Sequence, residues 1–318
     1  MSKYQSALQR TMYFVGVTTG GSSIMKVFPA WAEHLGLNAV IKGIDFPPND
    51  APEHYAEAVQ FIKSDPLSLG GLVTTHKMNL LKAARPLFDE LDPYAQTLHE
   101  ISSISKRGNR LIGHAKDPIS AGASLEAIVD ETYWARTGGQ LCLLGSGGSS
   151  LALSLYLHNK ARADGDVPSK IVVTARRESS LDEMRHVHRE IGFTIPIDYV
   201  LTPTPEAADQ VLAALPPASM VVNATGLGKD RPGSPITDAA VFPLDGIAWE
   251  FNYRGQLVFL DQANAQKAER HLQVVDGWVY FIHGWTRVIA EVFDVDIPAS
   301  GPAFDQLSQI AIQATERK

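Results

Sequence analysis

Residues 141–152, "LCLLGSGGSSLA", pass from four apolar residues directly into glycine and serine. The apolar run predicts a buried strand that ends at Gly145, and Gly147 and Gly148 are expected to open a helix. Glycine in such a turn permits a positive φ and lets the backbone approach a phosphate, to which the helix N-terminus presents free N–H groups. A purely structural turn is the alternative, so the surrounding sequence has to decide.

The segments that follow supply the context that a dinucleotide-binding turn needs. A second strand is predicted at 169–177, "SKIVVTARR", and further helix and strand segments alternate after it. This β-α-β order predicts an open, doubly wound Rossmann sheet, although the Gly-x-Gly-Gly spacing differs from the commonest Gly-x-Gly-x-x-Gly. We expect the cofactor phosphates to lie at Gly145, Ser146, Gly147, Gly148 and Ser149.

The end of the second strand bears on which dinucleotide binds. NAD sites usually carry an acidic residue there, which holds the ribose hydroxyl. This chain has Arg176 and Arg177 at that place. Guanidinium groups stay charged and bind phosphate in a bidentate way, so the pair favours NADP. A solvated basic pair is the alternative, and Glu178 could reach the ribose instead, which leaves NAD as the less favoured cofactor.

The N-terminal part of the chain alternates short strand-like and helix-like segments, which predicts parallel strands in an α/β layer architecture. We predict a helix over 77–91, interrupted or bent at Pro86, and a strand hairpin within 100–114. The last residues, from 276 onward, are predicted to form two helices that return to the first domain. The expected domains are therefore 1–118, completed by 276–318, and 119–275.

Composition limits the class of protein. The chain has 318 residues, 45% of them hydrophobic, and a net charge of −7, which disfavours nucleic acid and acidic membranes as partners. The single cysteine, Cys142, fits a reducing compartment, and the N-terminal stretch lacks the apolar run of a signal peptide. We expect a cytoplasmic protein, a monomer or homodimer, that acts on a small molecule.

A metal site is not expected. His186 and His188 stand two residues apart on a predicted helix and so point to different faces, and no third ligand is evident.

Several short motifs follow one another along the chain: "GGSS" (20–23), "VTTHK" (73–77), "GHAKD" (113–117), "GSGGSSLA" (145–152), "NATGLG" (223–228), "EFNYRGQLVFLDQA" (250–263) and "DGWVYFIHG" (276–284). No single motif is specific, but the ordered set is, and it resembles the shikimate dehydrogenase family. The resemblance implies an NADP-dependent oxidoreductase with an N-terminal substrate domain and a Rossmann domain.

The resemblance also implies two catalytic residues, Lys77 and Asp117. Hydride loss from a secondary alcohol needs a group that takes the hydroxyl proton. Lysine, with an ordinary pKa of ~10.4, is a poor base at neutral pH, but burial can lower that pKa while a carboxylate orients the amine. The alternatives are a surface lysine at a helix start, a capping role for Asp117, and His76 as the base.

The substrate pocket departs from the family pattern. The resemblance implies that Ser22, Thr74, Ser102 and Tyr253 contact substrate, but Ser102 stands where the family has asparagine. Further replacements occur where the family has serine, histidine-asparagine and glutamine. We therefore expect shikimate itself to be a poor substrate, and Lys116 to hold an anionic or keto group. A competing view is that His283, Lys116 and waters restore shikimate binding. Ile24 stands where the family has serine, Phe28-Pro29 where it has histidine-asparagine, and Gly284 where it has glutamine.

The nicotinamide end of the cofactor is expected near a second group of residues. By the resemblance these are Asn223, Ala224, Thr225, Phe251 and Gly277. An aromatic helix face follows, for which core packing is the favoured explanation and a pocket wall the alternative. It comprises Trp278, Tyr280, Phe281 and Trp285.

The sequence thus predicts hydride transfer between NADP(H) and a secondary alcohol or ketone of a small polyhydroxylated ring compound, shikimate or a relative. The substrate is expected in a cleft between the two domains. Two alternatives stay open: a catalytically silent NADP-binding sensor or scaffold, and a dehydrogenase for an unrelated substrate such as a folate.

Overall fold

The computed structural model describes residues 4–228 and 231–317 of the chain. It divides into two compact units, one formed by 1–117 with 282–318 and the other by 118–281.

The first unit holds a six-stranded sheet with strand order β2-β1-β3-β5-β6-β4. Strand β1 lies between β2 and β3, and all six of its residues are buried. It pairs in parallel with β2 and β3, as the alternation of strands and helices predicts. The strands are β1 (Thr11–Gly16), β2 (Val40–Asp45), β3 (Ser68–Val73), β4 (Glu90–Leu91), β5 (Ser103–Arg107) and β6 (Arg110–His114).

The hairpin predicted within 100–114 is confirmed: β5 and β6 pair antiparallel, and β5 also runs antiparallel to β3. One feature of the first unit differs from the prediction. The predicted helix over 77–91 ends at Ala84, where a 3₁₀ turn at Arg85–Leu87 takes over, and Glu90–Leu91 pairs with β6 as a short strand. Pro86 supplies the physical reason, since proline cannot continue an α-helical hydrogen-bond ladder. The helices here are α1 (Ile24–His34), α2 (Pro52–Ser64), α3 (Lys77–Ala84) and α4 (Pro93–Leu98).

The second unit confirms the Rossmann prediction. Its six strands are all parallel, in the order β12-β11-β10-β7-β8-β9. The chain order reverses between β7 and β10, which makes that point the topological switch where such folds bind ligands. The strands are β7 (Leu141–Leu144), β8 (Ile171–Ala175), β9 (Ile197–Leu201), β10 (Met220–Asn223), β11 (Ile247–Glu250) and β12 (Gln273–Val275).

Helices cover this sheet over two apolar clusters, one built around Leu143, Val173 and Trp249 and the other around Leu144, Val221 and Phe259. Alternate residues of each strand enter alternate clusters, as expected for a sheet buried on both faces. The helices are α5 (Asp117–Glu126), α6 (Tyr133–Thr137), α7 (Gly148–Arg162), α8 (Glu178–Glu190), α9 (Pro205–Ala213) and α10 (Val258–Arg270).

Two helices end the chain, α11 (Trp278–Phe293) and α12 (Pro302–Thr315). The indole N–H of Trp31 in α1 donates to the Leu307 carbonyl of α12 at 2.8 Å, and Trp285 of α11 packs edge-on against Phe14 with ring centroids 5.0 Å apart. Residues 282–318 thereby complete the first unit. Within the described parts of the chain, every helix is too short or too polar to cross a bilayer.

Candidate active site

The glycine turn after β7 has the conformation that the sequence predicts at Gly145. Its φ is +106°, and an added Cβ would lie 3.1 Å from the Ala224 carbonyl oxygen. Both facts make glycine necessary there. Gly147 differs from the expectation: it is the extended N-cap of α7 with φ −81°, and a Cβ on it would meet nothing within 4 Å.

A cavity of about 510 Å³ opens beside this turn, at the carboxyl edge of β7, β8 and β10. It lies at the topological switch point of the second unit, where dinucleotides bind in this fold. Of the predicted cofactor residues, seven line it. They are Gly145, Ser146, Gly147, Arg176, Arg177, Ala224 and Thr225.

The two arginines at the end of β8 are both exposed, and Arg177 donates to the Ser180 hydroxyl at 3.4 Å. Glu178, the competitor for the ribose, is engaged elsewhere: Arg185 donates to its carboxylate at 2.5 Å, and Glu178 does not line the cavity. The geometry therefore favours a phosphate ester at this end of the cavity over a ribose diol.

The cavity also has walls that the sequence analysis missed. A third arginine, Arg231, lines it, and so does the acidic residue Glu183. The segment after β9 contributes as well, which topology could have suggested because the carboxyl ends of parallel strands share one edge. The additional lining residues are Thr174, Ala175, Ser180, Glu183, Thr202, Pro203, Thr204, Pro205, Ala208, Leu227, Arg231, Ser234 and Pro235.

Asn223 lies beneath the cavity rather than on its wall. It is fully buried, and its side-chain oxygen Oδ1 accepts hydrogen bonds from the Thr225 N–H at 3.1 Å and the Thr225 hydroxyl at 2.7 Å. Its amide donates to the Glu250 carboxylate at 2.5 Å. Asn223 therefore fixes the shape of the loop that presents Ala224 and Thr225. Gly148 and Ser149 also do not line the cavity.

Glu250, at the end of β11, is a residue that the sequence analysis did not single out. Its carboxylate accepts from the Asn252 N–H at 2.8 Å and from the Asn252 side chain at 2.7 Å, as well as from Asn223. Burial raises the pKa of Glu250 to about 7, against the opposing effect of these hydrogen bonds. An acidic residue at the end of a buried strand is the sequence signal that could have revealed it.

Gly277 and Phe251, both predicted near the nicotinamide, are in contact with each other but do not line the cavity. A Cβ on Gly277 would lie 2.2 Å from the Phe251 carbonyl oxygen, so only glycine fits. The Phe251 ring packs on Trp249 and Tyr280, with centroids 4.6 Å away in each case. This packing supports a core role for that part of the aromatic face.

The predicted substrate residue Tyr253 is half-buried and belongs to the second unit. Its ring lies 4.3 Å from Phe281 and 5.9 Å from Trp278, centroid to centroid. The other predicted substrate residues belong to the first unit.

In the first unit, the ends of three strands bring the predicted catalytic region together. The Val73 N–H donates to the Ser102 carbonyl at 2.9 Å, and the Ser102 N–H donates to the His114 carbonyl at 2.9 Å. These bonds join the end of β3, the start of β5 and the end of β6 along one sheet edge. Thr74 and Lys77 follow from β3, and Asp117 follows from β6.

Lys77 and Asp117 form an ion pair, with their side chains 21% and 20% exposed. Lys77 is the first residue of α3 and Asp117 the first residue of α5, where the helix dipole stabilises a carboxylate. The pair combines a partly shielded amine with a carboxylate that orients it. It can therefore exchange a proton with a hydroxyl or keto group placed beside it.

His76, the alternative base, lies in the core of the unit. It is 1% exposed, its Nδ1 hydrogen-bonds with the Tyr55 hydroxyl at 3.0 Å, and Phe46 packs edge-on against its ring. A base has to reach the substrate oxygen, so the geometry favours Lys77 over His76.

The divergent positions of the predicted substrate pocket have varied surroundings. Ile24 and Phe28 are fully buried, and the hydroxyl of buried Ser102 accepts from the Lys116 N–H at 2.7 Å, tying β5 to the segment before Asp117. Ser22 and Thr74 are half-buried. A Cβ on Gly284 would meet no atom within 4 Å, so its place in α11 has room for a side chain.

Lys116, which is expected to hold a substrate anion, is engaged by a protein carboxylate in this structure. Its ammonium pairs with Glu291 at 2.6 Å. Although burial raises the pKa of Glu291, the hydrogen bond from Lys116 and the charges of His114, Lys116 and Arg107 leave it below its ordinary value. The charge of Lys116 is thus already neutralised by a protein carboxylate.

His283, which with Lys116 is the alternative expected to restore shikimate binding, is fully buried. Its ring stacks on Phe304 with ring centroids 4.3 Å apart. Burial lowers the pKa of His283 to about 4, so the ring is neutral at physiological pH.

Among the described residues, no three histidine, cysteine or acidic side chains are arranged to hold a metal. His188 instead packs in the second unit, bonded to the Ser154 hydroxyl at 2.8 Å and the Tyr199 hydroxyl at 2.6 Å.

Comparison with known proteins agrees with the sequence motifs. No family model matches the chain. It is 28% identical over 182 residues to the shikimate dehydrogenase (NADP(+)) of Lactococcus lactis subsp. cremoris, covering 57% of this chain and 60% of that relative. The chain thus spans less than two thirds of that relative's length.

Two solved structures share the fold over nearly the whole chain. One is the shikimate dehydrogenase of Aquifex aeolicus, with a TM-score of 0.73, 18% identity, and coverage of 98% of this chain and 100% of that one. The other is the ligand-free 5-ketofructose reductase of Gluconobacter sp. strain CHM43, with a TM-score of 0.71, 17% identity, and coverage of 97% and 98%. The chain is therefore similar in sequence to a shikimate dehydrogenase, and it shares its fold with a shikimate dehydrogenase and with a 5-ketofructose reductase.

Proposed function

We propose that this protein is an NADP(H)-dependent dehydrogenase of the shikimate dehydrogenase type. It would transfer a hydride between the nicotinamide and a secondary alcohol or ketone of a small polyhydroxylated ring compound. The observation that carries the proposal is the Lys77–Asp117 ion pair at the sheet edge of the first unit. In this proposal residues 1–118 with 276–318 bind substrate, and 119–275 bind the cofactor.

The turn and the cavity of the second unit have the features that NADP binding needs. A Cβ on Gly145 would be crowded by the Ala224 carbonyl oxygen at 3.1 Å. The cavity beside this turn is lined by Arg176 and Arg177, which follow the end of β8. Gly145, Ser146 and Gly147 would hold the pyrophosphate through backbone N–H groups, and the arginines would hold the 2′-phosphate. When bound, NADP supplies the hydride acceptor or donor.

The proton of the reaction is handled by Lys77. During alcohol oxidation, the neutral amine accepts the hydroxyl proton while the carbon loses its hydride; during ketone reduction, the ammonium donates a proton to the carbonyl oxygen. Asp117 holds the Lys77 side chain in place through the ion pair. Because the pair is only one-fifth exposed, solvent competes little for the same proton.

The substrate proposal is a ring alcohol other than shikimate. Ile24 offers no hydroxyl to a carboxylate, and Gly284 offers no amide to a ring hydroxyl. Structural likeness to a 5-ketofructose reductase as well as to shikimate dehydrogenases is consistent with a fold that accommodates more than one substrate.

A spectrophotometric assay tests the proposal. The purified protein is mixed with NADP or NAD and a panel of shikimate, quinate, inositols and ring-form sugar derivatives, and formation of NADPH or NADH is followed by absorbance. NADP-linked turnover of at least one compound is expected. Tight NADPH binding with no turnover of any compound in either direction would favour the silent sensor, and turnover of a folate alone would favour the unrelated dehydrogenase.

A cytoplasmic location is part of the proposal, as is a monomeric or homodimeric state. Cys142 is fully buried in β7, and burial raises the pKa of its thiol to about 12, so it supports neither a disulfide nor a reactive thiol. Light scattering after size-exclusion chromatography would test the oligomeric state.

A further inference from the structure

Glu100 lies beside the Lys77–Asp117 pair and has no role in the function proposed above. The N–H of the next residue, Ile101, donates to the Lys77 carbonyl at 3.4 Å, which fixes this part of the chain against the first turn of α3. The Glu100 residue is only 8% exposed, and its Oε1 is buried without a hydrogen-bond partner among the described residues. A carboxyl group in such a place is costly unless a nearby charge compensates it.

The charged groups that act on Glu100 come from two helices. They are the ammonium of Lys77 in α3 and the carboxylate of Asp117 in α5. Burial raises the pKa of Glu100, Lys77 opposes that effect, and Asp117 adds to it. The cluster therefore holds two acids and one base, and the protonation of any member changes the field at the other two.

We propose that Glu100 is the third ionisable member of the Lys77–Asp117 cluster, a positioning residue that sets how readily Lys77 gives up its proton. The inference rests on the proposed function, because it assumes that Lys77 is the acid and base of the reaction. It also gives a role to Glu100, a buried acid whose negative charge is compensated by the ammonium of Lys77.

The coupling works through charge. When Glu100 is ionised, two carboxylates stabilise the ammonium of Lys77, and the amine is a weak acid. When Glu100 is protonated, only Asp117 does so, and Lys77 loses its proton more easily. Alcohol oxidation needs the neutral amine and ketone reduction needs the ammonium, so the state of Glu100 tunes the pH range in which each direction runs.

Chemical labelling of Lys77 tests this without substrate or cofactor. Fluorodinitrobenzene reacts with the neutral amine, and mass spectrometry of the Lys77 peptide gives its labelling rate against pH. Glu100→Gln removes the charge and keeps the shape, so the labelling curve should move to lower pH by about one unit, which is about tenfold faster labelling at a fixed pH on its rising part. The matched control is Glu90→Gln, because Glu90 is exposed and pairs with Arg110 at the surface.

Superimposable labelling curves for the wild type and Glu100→Gln would overturn the inference. If Glu100→Gln does not fold, as judged by circular dichroism, the wild-type curve decides instead: coupling to Glu100 requires two inflections, and a single inflection contradicts it.

The same experiment separates this inference from the proposed function. A shifted labelling curve in a protein that turns over no compound of the panel would support the coupling and reject the dehydrogenase. Turnover of a panel compound with an unshifted labelling curve would support the dehydrogenase and reject the coupling. With an active substrate, the pH profile of kcat for oxidation in Glu100→Gln should move to lower pH together with the labelling curve.

Discussion

The side-chain amide of Asn223 donates a hydrogen bond to the carboxylate of Glu250 at 2.5 Å, across the carboxyl ends of the neighbouring parallel strands β10 and β11. Asn252 donates to the same carboxylate, and the Asn252 amide also donates to the Leu227 carbonyl at 3.2 Å. One buried acid thus organises the two loops that leave these strands. The loop 223–228 carries three cavity residues, so Glu250 supports the candidate cofactor site.

Glu250 should make stability depend on pH. Its pKa in the folded protein is raised from 4.5 to about 7, so between these values the folded state retains a proton that the unfolded state has lost. The free energy of unfolding should therefore fall as pH rises from about 4.5 to about 7, by about 3 kcal/mol from this group, and level off above that. Urea denaturation at several pH values would measure it, with Glu250→Gln as the comparison. An identical pH dependence in both proteins would contradict the assigned pKa.

Replacing Lys77 with alanine should reduce turnover by at least ~100-fold, the usual scale for loss of a general acid and base. NADPH affinity, measured by fluorescence titration, should stay within about twofold, because Lys77 belongs to the first unit and the cofactor cavity to the second. Lys82→Ala is the matched control, since Lys82 is an exposed lysine on the same helix. Near-normal turnover of Lys77→Ala would show that another group moves the proton.

The double substitution Arg176→Ala with Arg177→Ala should weaken NADP binding far more than NAD binding. Each charge-assisted bond to the 2′-phosphate contributes roughly 1.5–3 kcal/mol, and NAD has no phosphate there. Calorimetric titration of both cofactors against the wild type and the double variant measures the difference. Arg189→Ala, on the exposed face of α8, serves as the control for a general loss of positive charge. Equal losses for NADP and NAD would mean that these arginines do not bind the 2′-phosphate.

The wild type should oxidise shikimate poorly, and Gly284→Gln should improve that activity. A Cβ added at Gly284 would meet no atom within 4 Å, so a side chain can start there without a clash at its first atom. One recovered hydrogen bond of about 1–1.5 kcal/mol corresponds to roughly tenfold in kcat/KM for shikimate. Replacing a helix-interior glycine should also stabilise the fold slightly, by up to about 1 kcal/mol. Steady-state kinetics on shikimate and quinate, with a thermal melt of each protein, provides the check.

A wild-type shikimate efficiency within the ordinary enzyme range of ~10⁴–10⁸ M⁻¹s⁻¹, and above every other compound of the panel, would instead contradict the proposed substrate preference.

Much of the fold could be predicted from the sequence because its signals are local. Four apolar residues followed by Gly145 suffice for a strand that stops at a positive φ, and the strand at 171–175 follows after a helix of ordinary length. Pro86 likewise predicts the end of the α-helix before it, because its ring cannot continue the hydrogen-bond ladder. These effects depend on a few neighbouring residues, so they survive in the sequence without knowledge of the packing.

The ionic partners within each unit were decided only by the tertiary structure. Lys116 appeared available for a substrate, but Glu291, far along the chain, neutralises it. Glu178 appeared free to bind a ribose, but Arg185 engages it. The direction of β5 depends on its pairing with both neighbours. A charge interacts with whatever the fold brings within a few ångströms, so its partner is a property of packing and not of the residues beside it.

The two buried acids show the same division most clearly. In the sequence, Glu100 is an ordinary acidic residue among many, and Glu250 is marked only by its place at the end of an apolar strand. The fold encloses Glu100 beside Lys77 and Asp117, and Glu250 beside two asparagine amides. Loss of solvent then shifts the pKa of each carboxyl upward, which gives it a property that the amino acid alone does not have. The sequence by itself predicted the dinucleotide fold and singled out Lys77 and Asp117, whereas the shifted proton affinities of the two buried acids arise only where tertiary packing excludes water.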